Sequence, residues 1–257
     1  MAVAFNRLAF TRLPTRIRSA VAAVCRHHNS MTTDLINNMD KKETWDRFYQ
    51  ENNGVRNFKN FEWFFGFDAV RDLILPLLQP QQSSDAAGRA LDLGCGTSAL
   101  GPGIFRHSPW PVHVTCADIS PVAVRLLKEQ SKSKPIQPGH PSSSLTFLEM
   151  DCSVLQTQFE LGSLDLIIDK GTTDALLRSR EGRAKAGQIL RECLGVLQQS
   201  GCLLQFSDED PDARMLWLER ESGGLGERAA GIGVQEVGVL RGVCYYCYLI
   251  TPPSRAH

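Results

Sequence analysis

From Ala90 onward, apolar residues fall into short runs separated by amphipathic stretches. Ala90–Leu93, Val112–Ala117, Leu145–Glu149, Leu164–Asp169 and Cys202–Phe206 have the length and composition of buried strands. Ser98–Arg106, Val122–Lys132 and Arg183–Leu197 carry apolar residues at helical spacing. In the last of these Ile189, Leu190, Leu194 and Leu197 share one face. Val234–Leu240 and Val243–Ile250 flank Arg241–Gly242, which predicts an antiparallel hairpin. Strand and helix in alternation predict a Rossmann-like α/β domain. Its sheet has seven strands and is mostly parallel, with helices on both faces and the hairpin at its C-terminal end.

The region before the alternation is less regular. Thr44–Glu51 reads as a helix, with Trp45 and Tyr49 four apart on one face. A loop follows at Asn52–Gly54. Phe61–Leu78 is helical in its second half, through Val70, Leu73, Ile74 and Leu77, with Pro76 kinking or ending it. Gln79–Gly88 reads as a surface linker, and Lys134–Ser144, with Pro135, Pro138, Pro141 and Gly139, as a loop.

Composition changes this picture at one end only. Lys and Arg total 28, Asp and Glu 28, a formal net charge of +0 that makes no general case for nucleic-acid binding. No apolar run approaches the roughly 20 residues needed to cross a bilayer. The zero is unevenly distributed. Met1–Asn29 holds Arg7, Arg12, Arg16, Arg18 and Arg26 and no acid, which leaves 23 basic against 28 acidic residues elsewhere, a net −5. Arginines among Val3, Phe5, Leu8, Leu13, Ile17, Val21 and Val24 are the composition of a mitochondrial presequence. Residues 1–30 are read as that presequence, residues 31–257 as one domain of the mitochondrial matrix. Reduced thiols suit that compartment. Of the eight cysteines, Cys244 and Cys247 form a C-x-x-C. On a strand, positions three apart point to opposite faces, so no shared metal ion is expected.

Ligands of an open parallel sheet bind at the carboxyl ends of the strands, and four signals fall there. In Asp92-Leu93-Gly94-Cys95-Gly96-Thr97-Ser98 two glycines permit a tight turn and close backbone approach, and Ser98 can cap the next helix. The third glycine of the dinucleotide fingerprint is absent, with Thr97, Ser98 and Ala99 following Gly96. Asp92 suits a ligand with an ammonium group better than one with phosphates. Asp118 ends the second strand, close to the spacing of about 20 residues expected of a carboxylate gripping ribose hydroxyls. Asp151 follows the third strand, where it could accept from an adenine amino group. The fourth signal, Leu164–Leu176, carries Asp169, Lys170, Gly171 and Asp174 where a group positioning a methyl acceptor would sit. Together these favour S-adenosyl-L-methionine over a dinucleotide.

DLGCGTS, the Asp118 and Asp151 strand ends and DKGTTDA resemble the seven-stranded lysine methyltransferases that modify folded proteins. FEWFFGFD (Phe61–Asp68), PGHPSSSLTF (Pro138–Phe147), RECLGVL (Arg191–Leu197) and QFSDEDPDAR (Gln205–Arg214) narrow the resemblance. They are similar to the mitochondrial citrate synthase lysine methyltransferases, from about Phe61 to Ile250. The resemblance implies a protein-lysine N-methyltransferase acting on citrate synthase; a monomer is expected, with neither nucleic acid nor membrane as partner. It implies a cofactor site lined by Gly94, Asp118, Ile119, Asp151 and Cys152, closed by Lys170 and covered by Trp45, Tyr49 and Phe61. Thr173 departs from it, since a bulkier residue is expected after DKGT. Asp169, or Asp208 and Glu209, are the candidates to orient the amine or accept its proton. Asp208 and Glu209 could equally lie on a docking face for a basic substrate loop. Two other readings stand beside this one: an NAD-dependent oxidoreductase, and an inactive methyltransferase fold serving as an assembly factor.

Overall fold

The computed structural model describes residues 35–52, 62–80, 86–223 and 230–253. The presequence reading, Phe61, Asn53–Gly54 and the centre of the Gln79–Gly88 linker lie outside these residues. In chain order the elements are α1 (Lys42–Asn52), α2 (Arg71–Ile74), β1 (Gly88–Leu93), α3 (Leu100–His107), β2 (Val112–Asp118), α4 (Pro121–Ser133) and β3 (Ser144–Glu149). They continue with β4 (Leu164–Lys170), α5 (Thr172–Leu176), α6 (Arg180–Val196), β5 (Leu197–Ser207), α7 (Pro211–Ser222), β6 (Gly231–Leu240) and β7 (Val243–Thr251).

The strands form one seven-stranded sheet in the order β3-β2-β1-β4-β5-β7-β6. All pairings from β3 to β5 are parallel, and β7 is antiparallel to both β5 and β6. The hairpin turns at Arg241 (φ 52) and Gly242 (φ 78), two consecutive left-handed residues that match the twist of the flanking strands. The chain builds outward from β1 through β2 to β3, then returns to β4 on the other side. The switch point is therefore between β1 and β4, and the first crevice is there.

Each face of the sheet carries its own core. Leu91, Leu93, Ile167, Leu203 and Tyr248 pack under α6 and α7 through Ile189, Leu190, Leu194, Trp217 and Leu218. Ala90, Val114, Leu166, Ile168, Leu204 and Phe206 face Leu100 and Ile104 of α3, Leu127 of α4 and the Phe64–Leu78 segment. Alternation along Ala90–Leu91 of β1 and Leu166–Ile168 of β4 is what divides them. A smaller cluster of Leu35, Met39, Phe48, Tyr49, Ala123 and Ala175 carries α1 onto the ends of α4 and α5.

Three local expectations are revised. The stretch before the sheet is a 3-10 turn at Phe67–Ala69, the short α2, and a second 3-10 turn at Leu75–Leu78 that contains Pro76, rather than a single helix. Proline has no N–H to continue an α-helical ladder but fits the start of a new turn. The helix expected from Ser98 starts at Leu100 with Ala99 as its N-cap, and the Ser98 hydroxyl accepts from the Leu100 N–H instead. Helix α7 had no counterpart in the expected elements. Asp210 caps it by accepting from Asp212 N, and Pro211 occupies its first position.

Candidate active site

The carboxyl ends of β1, β2, β3 and β4 open into a cleft lined by Gly94, Asp118, Ile119, Met150, Asp151 and Lys170. Gly94 and Gly96 begin it, both in the left-handed region at φ 62 and φ 54. A Cβ on Gly94 would collide with the Thr172 hydroxyl, and one on Gly96 with that of Tyr49. A side chain at either position would clash and would strain a left-handed backbone, so the turn requires glycine at both.

Asp118 pins that cradle in place. Its Oδ2 accepts from Gly96 N at 2.8 Å and its Oδ1 from Ser120 N at 2.8 Å. Burial pushes its carboxyl up to about 6, against those backbone donors. Each carboxylate oxygen retains a lone pair, and Asp118 lines the cleft with Ile119. Ser120 caps α4 and donates to Asp46 Oδ1 at 2.5 Å, which ties α1 to the end of β2. Asp151 follows β3 with Met150 and Cys152, all lining the cleft. Its Oδ1 accepts from Ser153 N and Oγ, and its Oδ2 is paired with Lys185 at 2.8 Å. Burial opposes ionisation of Asp151, but Lys185 and Ser153 together hold its carboxyl below the usual range.

Over the cleft lie Trp45 and Tyr49 of α1 with Trp63. Trp45 and Trp63 meet edge to face at 6.0 Å, and Trp45 Nε1 donates to Met39 O at 2.7 Å. Lys170 fastens this cover. Its Nζ donates to Glu62 Oε1 at 2.6 Å and to Trp63 O at 2.6 Å, with the side chain 5% exposed. The other Glu62 oxygen accepts from Ala99 N at 3.0 Å. One carboxylate thus joins the aromatic segment both to β4 and to the start of α3.

Eight of the nine residues expected around the cofactor therefore line one cleft: Trp45, Tyr49, Gly94, Asp118, Ile119, Asp151, Cys152 and Lys170. Phe61 lies outside the described residues. The three expected to act on the amine do not line it. Asp169 is buried and pushed up to about 6 by that burial. It accepts from Thr172 N, Thr173 N, the Thr173 hydroxyl and Gln205 Nε2, and so holds the start of α5. Thr173 is small because its hydroxyl belongs to this buried network. Burial also pushes Asp208 up to about 7, with Asp174 adding to it and Arg178 opposing. Glu209 is exposed; its backbone carbonyl accepts from the Tyr248 hydroxyl at 2.9 Å. The acid from DKGTTDA that does line the cleft is Asp174.

The residues present fit an adenosine-bearing cofactor. Gly94 lines the cleft with bare backbone, a buried acid ends β2, and a mixed apolar and polar edge of Met150, Asp151 and Cys152 follows β3.

Comparison with known proteins agrees. The methyltransferase-domain family model matches residues 84–214. The zebrafish (Danio rerio) mitochondrial citrate synthase-lysine N-methyltransferase is 61% identical over 90% of this chain and 91% of its own length. The human protein of the same name is 45% identical over 95% of this chain and 98% of its own. This chain is a member of their family. It is an S-adenosylmethionine-dependent methyltransferase, which sets aside both the oxidoreductase and the inactive-fold readings. The fold is that of such enzymes: a SAM-dependent methyltransferase from Aquifex aeolicus superposes with a TM-score of 0.52 at 14% identity, over 80% of this chain and 98% of that one.

Proposed function

We propose that this chain methylates a lysine side chain of citrate synthase within mitochondria, acting as a monomer. The observation that carries the substrate is the 61% identity to a protein so named, sustained over 90% of the chain. That range reaches far beyond the glycine turn, which very many methyltransferases share. Residues 1–30 are proposed as the import presequence.

The chain's own residues divide the work. Gly94 and Gly96 let backbone approach the cofactor, Asp118 accepts from ribose hydroxyls, and Ile119, Met150 and Cys152 border the base. Asp151, held by Ser153 and Lys185, presents what acceptor capacity remains to its amino group. Trp45, Tyr49 and Trp63 cover the cleft and keep water out. Lys170 holds that cover shut. S-adenosylmethionine, when bound, supplies an electrophilic sulfonium methyl, which a lysine nitrogen takes once its proton has gone to solvent, as the carbon–sulfur bond breaks toward sulfur. The enzyme's contribution is orientation and charge environment, with no covalent intermediate on the protein.

Incubating the purified chain with methyl-labelled S-adenosylmethionine and citrate synthase tests the proposal. Label is expected on a lysine of the synthase. Label absent there but present on another mitochondrial protein overturns the substrate. Residues 1–30 fused to a fluorescent protein should direct it to mitochondria; a diffuse signal overturns the presequence.

A further inference from the structure

Among the described residues, four carboxylates line the cleft: Asp40, Asp118, Asp151 and Asp174. Asp118 and Asp151 are committed to the turns after β2 and β3. Asp40, whose Oδ1 is buried without a hydrogen-bond partner, packs against the start of α6, at Gly182, on the side where Lys185 pairs with Asp151, so it is the rival that the test below must separate. Asp174 is differently placed. It stands on α5, two residues after Thr172, whose hydroxyl rests over Gly94 and donates to Leu93 O. That is the switch point between β1 and β4.

The surroundings of Asp174 are unusual for a structural acid. Its Oδ1 accepts from Ser207 Oγ at 2.5 Å and from Arg214 Nη2 at 2.8 Å, with side chains 9% and 1% exposed for Asp174 and Arg214. The contact is one-sided, although a guanidinium and a carboxylate ordinarily meet in a two-pronged fork. Arg214 Nε and Nη1 are buried with no hydrogen-bond partner, and the guanidinium lies 5.8 Å and 5.9 Å from the Trp217 and Tyr248 ring centroids. A buried ion pair left half-satisfied is a poor source of stability and calls for another explanation. What it leaves over is Asp174 Oδ2, which no hydrogen bond among the described residues occupies, on a side chain that lines the cleft.

We propose that Asp174 is the residue that receives the acceptor lysine, its Oδ2 binding the ammonium and then orienting the amine in the cleft. Ser207 and Arg214 fix the carboxylate through its other oxygen, so that little side-chain freedom is lost when the lysine arrives. Arg214 also balances its charge, so the lysine is held without strongly favouring the ammonium over the amine that reacts. The inference deepens the lysine-methyltransferase reading and rests on it, but not on which protein supplies the lysine.

The test compares wild type with Asp174→Asn and with the doubly neutral Asp174→Asn/Arg214→Gln. The latter keeps the protein folded if the single change strands the buried guanidinium. Three quantities are read: affinity for S-adenosylhomocysteine by calorimetry, kcat and KM on citrate synthase, and binding of n-butylammonium to the S-adenosylhomocysteine-loaded protein by saturation-transfer NMR. Expected are cofactor-product affinity within about threefold of wild type, a roughly 100-fold loss of kcat/KM, and loss of the n-butylammonium signal, with Asp174→Glu recovering part of the rate. Retained kcat/KM in either folded variant overturns the proposal. So does an equal loss of S-adenosylhomocysteine affinity, which would make Asp174 a part of the cofactor site, or loss of the n-butylammonium signal in Asp40→Asn but not in Asp174→Asn. Wild type that binds n-butylammonium and leaves citrate synthase unlabelled overturns the substrate assignment alone.

Discussion

Asp118→Asn separates the cost of the site to the fold from its value to the ligand. The wild-type carboxyl is pushed up to about 6 from 3.8, chiefly by burial and against the Ser120 and Gly96 N–H groups. Two pKa units at 1.36 kcal/mol each make the ionised form cost the unliganded fold about 3 kcal/mol. Because the folded value is raised, that cost is absent below the unfolded value of 3.8, grows as pH rises from there, and is complete once pH has passed about 6. Asparagine removes it. It also offers one oxygen where two backbone donors need acceptors, and a stranded buried N–H costs about 1–3 kcal/mol. The two changes nearly cancel at neutral pH, so the unliganded variant should unfold within about 4–8 °C of wild type by scanning calorimetry. Ligand affinity has no such compensation. Ribose hydroxyls donating to a carboxylate are worth about 1.5–3 kcal/mol each, so losing two costs roughly 100-fold to 10,000-fold in affinity for S-adenosylhomocysteine. Isothermal titration calorimetry between pH 5 and 8 reads both arms. Wild-type affinity should fall below about pH 6, approaching tenfold per pH unit, while the variant's smaller affinity loses this dependence. Affinity of the variant within threefold of wild type near neutral pH would refute the assignment of Asp118 to the cofactor.

Other consequences follow from the same geometry. Gly94→Ala should abolish S-adenosylhomocysteine binding by calorimetry, since its Cβ collides with Thr172 and the backbone stands at φ 62. Lys170→Met strands Glu62, which keeps Ala99 N but loses its buried cation. A loss of about 3–5 kcal/mol is expected in denaturant titrations, with a change in Trp63 fluorescence as the cover loosens. The unliganded protein should also be more stable at mildly acidic than at alkaline pH. Asp92 at about 7, Asp118 and Asp169 at about 6 and Asp208 at about 7 all lie above the unfolded value of 3.8, so their shared contribution is lost as pH rises from about 4 and is gone above about 7. A thermal midpoint that rises steadily from about pH 5.5 to 8 would refute that reading.

The sheet was legible because its signals are local and repeated. Apolar runs of strand length alternate with helical stripes, and one two-residue turn at Arg241–Gly242 settles the hairpin. Helix α7 escaped because its apolar residues are consecutive instead of spaced. Met215, Leu216, Trp217 and Leu218 make no stripe, and only the last two are buried while Leu216 is 69% exposed. Its one clear mark is Asp210-Pro211, which in the sequence forms part of the acidic QFSDEDPDAR motif.

The acids of DKGTTDA demanded more than pattern. Asp169 and Asp174 both stand near a strand end, and spacing assigns the acceptor role to either. What separates them is where α5 begins. With Gly171 at φ 91 and the helix starting at Thr172, the Asp169 carboxylate lies beneath the first turn and is drawn into capping Thr172 and Thr173. The same register carries Asp174 to the cleft. An acid at a strand end is thus ambiguous until the donors around it are counted: one already surrounded by backbone N–H groups has its lone pairs spent on the fold. Asp118 shows that spending need not be complete, since two donors on two oxygens leave capacity over. Asp169, with donors from Thr172, Thr173 and Gln205, has far less to offer. The distinction between a structural and a functional carboxylate here is one of remaining acceptor capacity, and sequence spacing carries no information about it.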